Sequence, residues 1–139
     1  MTRLRIIAIS GAAGLAMLTL VAAQQPPALG TASPGDWELS GMPGAKVPIR
    51  QCLADLTTLI QLEHRGRHCT RTLIRDQGHS TIVQYDCGPA GFGRTQIDVL
   101  TPRSLRISTQ GISDSLPFNY VLQARRMGEC TKSVSSLRH

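Results

Sequence analysis

Residues 69–87 read CTRTLIRDQGHSTIVQYDC, two alternating runs around a polar turn with a cysteine at each end. In the first run Cys69, Arg71, Leu73 and Arg75 share one face, and Thr70, Thr72 and Ile74 share the other. In the second, Thr81, Val83, Tyr85 and Cys87 point the same way. Period-two alternation in β-branched and aromatic residues predicts a β-hairpin. Asp76-Gln77-Gly78-His79 supplies the turn, with Gly78 free to take positive φ. A loop of Gln77-Gly78-His79 pairs Asp76 with Ser80, faces Leu73 with Val83, sets Arg71 beside Tyr85 and brings Cys69 opposite Cys87.

Towards the C-terminus the alternation continues. Gly88-Pro-Ala-Gly-Phe-Gly93 is a glycine-rich loop, read as a flexible connection. Arg94 to Leu100 is a strand with Thr95, Ile97 and Val99 facing in. Thr101-Pro-Arg-Ser104 turns the chain back, and Leu105, Ile107 and Thr109 face in on the next strand. Gly111 to Leu116 is a polar connection, and Phe118, Tyr120, Leu122 and Ala124 line the inner face of a last strand that runs towards Cys130. Residues 131–139 form a polar tail.

Towards the N-terminus the period changes. Leu53, Leu56, Leu59, Ile60 and Leu62 include the i, i+3, i+6, i+7 spacing of one helical face, which predicts a helix over Leu53–Glu63 ended by Gly66. Val47 to Cys52 is a short extended piece, confined to a sheet edge because Pro48 has no N–H to donate. Gly41-Met-Pro-Gly44 is a break, and Trp37 and Leu39 alternate with Asp36, Glu38 and Ser40 as a short half-buried strand. Gln24 to Pro34 is rich in Pro, Ala, Gly and Ser and reads as a flexible lead-in.

The first 23 residues have the three parts of a secretory signal. Met1-Thr-Arg-Leu-Arg5 is basic, and Ile6 to Val21 is apolar or small apart from Ser10 and Thr19. Val21-Ala22-Ala23 then presents small residues ahead of Gln24, which places cleavage between Ala23 and Gln24. The domain plan is therefore signal 1–23, lead-in 24–34, one domain over 35–130 and tail 131–139. No transmembrane span is expected once the signal is gone. Loss of Arg3 and Arg5 lowers the formal charge from +6 to +4. The remaining basic residues are spread along the chain rather than clustered, which speaks for a solvated surface and against nucleic acid as a partner.

The expected fold is α+β and mostly β: a curved antiparallel meander of six or seven strands packed on one helix and stapled by two disulfides. Each strand has one apolar face, so the sheet is covered on one side and the helix is the cover. The predicted core is Trp37, Leu56, Leu73, Val83, Tyr85, Ile97, Val99, Leu105, Ile107, Phe118, Tyr120 and Leu122. Four cysteines in a small exported chain read as a disulfide framework, and no Cys-x-x-Cys pair points to zinc or thioredoxin-type redox chemistry. The hairpin register permits Cys69–Cys87 with Cys52–Cys130. Chain reach also permits Cys52–Cys69 with Cys87–Cys130. The second pairing is preferred here, because it staples the helix and the last strand to the hairpin and constrains more of the unfolded chain.

Chemistry-bearing motifs are weak. His64 and His68 have the i, i+4 spacing of metal ligands, but Gly66 lies between them and the expectation is two exposed histidines on a basic turn. Gly91-Phe-Gly93-Arg94 lacks the Lys-Ser/Thr of a phosphate loop and does not open a helix. No G-x-S-x-G elbow frames a serine. No cofactor, metal site or catalytic residue is assigned.

Pro34-Gly35-Asp36-Trp37-Glu38, Gln51-Cys52-Leu53, Cys69, Gly78, Tyr85-Asp86-Cys87 and Arg126-Met127-Gly128-Glu129-Cys130 follow one another in an order that resembles domain of unknown function 3617, a family of small exported bacterial proteins with four cysteines. The resemblance implies a periplasmic address and a disulfide-bonded, β-rich domain, and no activity. The expected function is a non-catalytic binding or envelope-associated module whose partner is a small apolar ligand or an envelope protein. The alternative is a small hydrolase-like periplasmic enzyme with a site assembled across strands.

Overall fold

The computed structural model describes residues 25–131. The expected signal, its Ala23–Gln24 cleavage point and residues 132–139 of the tail lie outside them. Seven strands form one antiparallel sheet: β1 (Gly35–Ser40), β2 (Ile49–Leu53), β3 (Thr70–Gln77), β4 (Ser80–Asp86), β5 (Gly91–Thr101), β6 (Ser104–Ser113) and β7 (Leu116–Gly128). Their order across the sheet is β2-β1-β7-β6-β5-β4-β3. The sheet is open, with β2 and β3 as its edges. β3 to β7 are a meander of neighbours, as short connections favour. The β1–β2 hairpin docks on β7, so the link from β2 to β3 must cross the sheet from one edge to the other.

That link carries the cover, and it differs from the expected helix. Leu53 is the last residue of β2, and the helix runs Leu56–His64 as a 3₁₀ helix rather than an α-helix over Leu53–Glu63. Asp55 takes an extended conformation ahead of it, and its side chain accepts a hydrogen bond from the Thr57 N–H. Asp at an N-cap competes for the backbone in this way and delays the first turn. Gln61 breaks the helical path (φ −129°, ψ 51°), and Gly66 at φ +74° lies just past the end. The tighter helix puts Leu56, Leu59, Ile60 and Leu62 against the sheet.

The inner face holds the core. Trp37, Leu39, Tyr85, Ile97, Leu105, Ile107 and Leu122 are all but inaccessible to solvent. Three predicted core residues differ. Phe118 and Tyr120 are half-buried, and Leu73 is 51 % exposed because β3 is an edge strand that the helix does not cover. The supposed lead-in is packed: Pro26, Ala28, Leu29 and Ala32 are buried around a short 3₁₀ turn, Leu29–Thr31. Its backbone is tied down by Ala28 N–H donating to Asp76 Oδ1 at 3.2 Å and Ser33 N–H donating to the Pro102 carbonyl at 2.9 Å. Trp37 Nε1–H donates to the Ser33 carbonyl at 3.1 Å, which satisfies the one polar group of the buried indole.

The hairpin has the expected register from Thr70 opposite Asp86 to Leu73 opposite Val83. A bulge between Leu73 and Arg75 then slips it by one, so Asp76 faces Thr81, Gln77 faces Ser80 and the loop shrinks to Gly78-His79. Gly78 sits at φ +57°, as a two-residue hairpin asks of its first position. The polar connection expected over Gly111–Leu116 is also mostly strand. β6 and β7 are joined by Asp114-Ser115 alone, with φ of 47° and 67°, the pair of positive values a type I′ turn requires.

The disulfides are Cys52–Cys130 and Cys69–Cys87, so the preferred pairing is corrected. Strand geometry settles it. Cys69 and Cys87 continue the ladder one step beyond Thr70 and Asp86, with Cα atoms 4.1 Å apart. Cys52 and Gly128 flank Asp36 on its two sides, so the Cys52–Cys130 bond closes over the start of β1.

Candidate functional site

Three features of the inner and outer faces bear on function. The first is a crevice of about 1010 Å³ at the β3 edge. Ile60 of the 3₁₀ helix, Val83 of β4 and Leu73 of β3 give it apolar walls, and Pro26 and Pro27 close one side. Its polar rim is Gln25, Asp55, Thr57 and Arg71. The crevice exists because the helix covers the middle of the sheet and leaves β3 bare, so the inner face of the hairpin is covered only in part. Leu73, predicted as core, is a wall of this opening.

Arg71 is held in a fixed position. Its Nε and Nη2 both donate to Gln61 Oε1, at 2.9 and 2.7 Å. The Gln61 amide nitrogen donates in turn to the carbonyls of His64 and Arg67, at 3.1 and 3.0 Å. Gln61 is buried, and it can reach these partners because the break in the helix turns its side chain down towards the hairpin. Asp55 is occupied by Thr57, whose N–H donates to Oδ1 at 2.9 Å and whose hydroxyl donates to Oδ2 at 2.7 Å.

The second feature is a buried polar cluster at the end of the helix. His64, expected on an exposed turn, is 2 % exposed. Its Nε2 lies 3.0 Å from the Ala90 carbonyl and its Nδ1 3.2 Å from the Tyr85 hydroxyl. A carbonyl only accepts, so Nε2 carries the proton, and in the neutral ring Nδ1 accepts from Tyr85. Gly93, in β5 rather than in a flexible loop, makes this possible: the Tyr85 ring lies where a Cβ at position 93 would stand. Burial pushes the Tyr85 phenol up to about 12, with the Glu63 carboxylate adding to the push and a hydrogen bond from Thr109 opposing it. The Tyr120 hydroxyl donates to Glu63 Oε1 at 2.7 Å, and its pKa is raised by burial and then by that hydrogen bond and charge. Every partner in this cluster is a hydrogen-bonding one, and the arrangement locks the helix end to β4 and the glycine-rich segment.

The third is a shallow groove of about 420 Å³ on the outer face, between the row Gln84, Arg94, Gln110, Asn119 and the apolar pair Phe92 and Ile112.

The residues that sequence reading set aside for chemistry are not gathered. His64 is in the buried cluster, His68 lies in an open groove beside the Cys69–Cys87 bond, and His79 is in the exposed β3–β4 turn. Among the described residues no group of three or more His, Cys, Asp or Glu side chains could hold a metal ion. Arg71 at the crevice and the buried Gln61 that holds it were missed. The signal available was a polar residue within an otherwise apolar helical run.

The fold and the crevice together define a class: an open antiparallel sheet, disulfide-stapled at both ends, with a partly covered inner face. No protein-family model matches the chain, and neither a curated protein nor a solved structure matches it. No described helix is long and apolar enough to cross a membrane.

Proposed function

We propose that the protein is a non-catalytic periplasmic binding module, of the kind grouped as domain of unknown function 3617, whose crevice at the β3 edge takes a small apolar ligand. The observation that carries this reading is the crevice itself. It has about 1010 Å³ of space, the upper range of small-molecule sites, with apolar walls and a few polar groups at the rim. Two disulfides support an oxidising compartment, in keeping with the basic-apolar-small pattern of residues 1–23. The separation of His64, His68 and His79 speaks against the hydrolase-like alternative.

The test uses protein purified from the periplasm and the neutral apolar dye N-phenylnaphthylamine. Saturable fluorescence enhancement is expected. It should be lost in Leu73→Trp, which fills the crevice from a half-exposed position without disturbing the core. Absence of saturable binding, or full binding by the Leu73→Trp protein, sinks the proposal.

A further inference from the structure

Resting on that reading, we propose that the ligand is an amphiphile with a carboxylate head, and that Arg71 is the group that recognises the head. The described ion pairs are Arg50–Asp36, Arg125–Glu38 and Arg126–Glu129, all on β1, β2 or β7 and the residues after β7. Arg71 has no acidic partner among the described residues. It stands at the mouth of an apolar crevice with its charge uncompensated. Among the described residues its side-chain partner is a neutral amide, which fixes the guanidinium without neutralising it. A cation at the edge of an apolar space favours a ligand that is apolar for most of its length and anionic at one end.

The one carboxylate of the crevice does not oppose this. Asp55 precedes the 3₁₀ helix and Gln61 comes six residues later. Five helical residues, Leu56 to Ile60, separate the two. Asp55 is thus at the far end, with both oxygens already accepting from Thr57. Between the two ends Leu73, Val83 and Ile60 line the path that an alkyl tail would follow, and Pro26 and Pro27 stand alongside it. Gln61 is a positioning residue. The break in the helix costs a helical backbone position, and its structural return is that the amide reaches Arg71 from a buried anchor.

The experiment compares decanoate with decanol as competitors of the dye, on protein purified from the periplasm. Decanoate should bind at least tenfold more tightly than decanol at low salt, and the preference should shrink as salt is added. Arg71→Gln should remove the preference and leave decanol binding unchanged. Arg71→Lys should recover part of it, because the charge returns without the forked geometry. Arg71 is on an exposed edge strand, and an unchanged melting curve for each variant confirms that the fold is intact. Equal binding of decanoate and decanol overturns the carboxylate assignment while the crevice reading stands. A preference that survives in Arg71→Gln overturns the role of Arg71. Failure of both competitors to displace a bound dye excludes amphiphiles and overturns the inference alone, whereas failure of the dye to bind overturns the crevice reading.

Discussion

The two edges of the sheet are built differently. At the β1–β2 edge Trp37 and Leu39 of β1 and Leu53 of β2 are buried, and only Ile49 of the apolar inner residues is exposed, at 42 %. This edge also holds the three described ion pairs and the disulfide that closes the larger loop, 78 residues apart in sequence. At the β3–β4 edge, β3 is exposed or half-exposed along its whole length. Its disulfide links residues only 18 apart, and Arg71 has no acidic partner among the described residues. The same sheet therefore ends in a cross-tied side and a bare one. The difference teaches where stability and access are separated: the cross-tied edge holds the fold together, and the open edge leaves apolar surface and charge available to a ligand.

The sharpest way to break the contrast is to remove each disulfide. Cys52→Ser with Cys130→Ser releases the long loop and should cost about 4–5 kcal/mol by chain entropy, whereas Cys69→Ser with Cys87→Ser should cost about 3 kcal/mol. Denaturant titration of the two double variants measures the gap, and equal losses would mean the edges are not energetically distinct. Packing gives the next contrast. Trp37→Ala opens a cavity at a fully buried site and should cost about 3–5 kcal/mol. Leu73→Ala removes a half-exposed side chain and should cost no more than about 1 kcal/mol while weakening dye binding. A large loss of stability in Leu73→Ala would show that the open edge is structural after all.

The pH dependence probes the cluster between the two edges. The folded Tyr85 phenol is pushed to about 12 against an ordinary value of 10. The folded state therefore keeps a proton that the unfolded chain releases above pH 10. The Tyr85 contribution is fully present below pH 10 and falls as pH rises towards 12, by on the order of 2 kcal/mol, and Tyr120, whose phenol is also raised, adds a loss of its own. Tyr85→Phe should lessen that slope and leave the Tyr120 part, which denaturant titrations across the range will show.

Much of the architecture was legible. The alternation at Thr95-Ile97-Val99 and Leu105-Ile107-Thr109 placed inner faces correctly, because a strand buried on one side must repeat every two residues. Pro48 marked an edge for a similarly local reason. The errors fall where distant segments meet. His64 looked exposed because Gly66 was taken as the start of open turn. Its burial depends on Gly91, 27 residues further on, which leaves room for the ring. The lead-in looked mobile by composition, yet Leu29 fills the space beside the core. The candidate site was less legible still: Leu73 was read as core, and the Gln61–Arg71 pair was not seen.

The disulfides show the division most clearly. The sequence determined by itself that four cysteines flank and bracket a hairpin, that the strands around it alternate, and that one apolar helical run is available to cover them. These are local properties, set by side-chain period and backbone preference. The tertiary structure alone decided which cysteines bond and which apolar residue stays open. The preference for Cys52–Cys69 rested on the unfolded chain, where a larger constraint is worth more. Bond formation answers to the folded state, where strand pairing sets Cys69 against Cys87 and leaves Cys52 and Cys130 to meet across β1. Leu73 stays open for the same kind of reason: its face is fixed by the strand, but its cover depends on where a helix from elsewhere in the chain comes to rest.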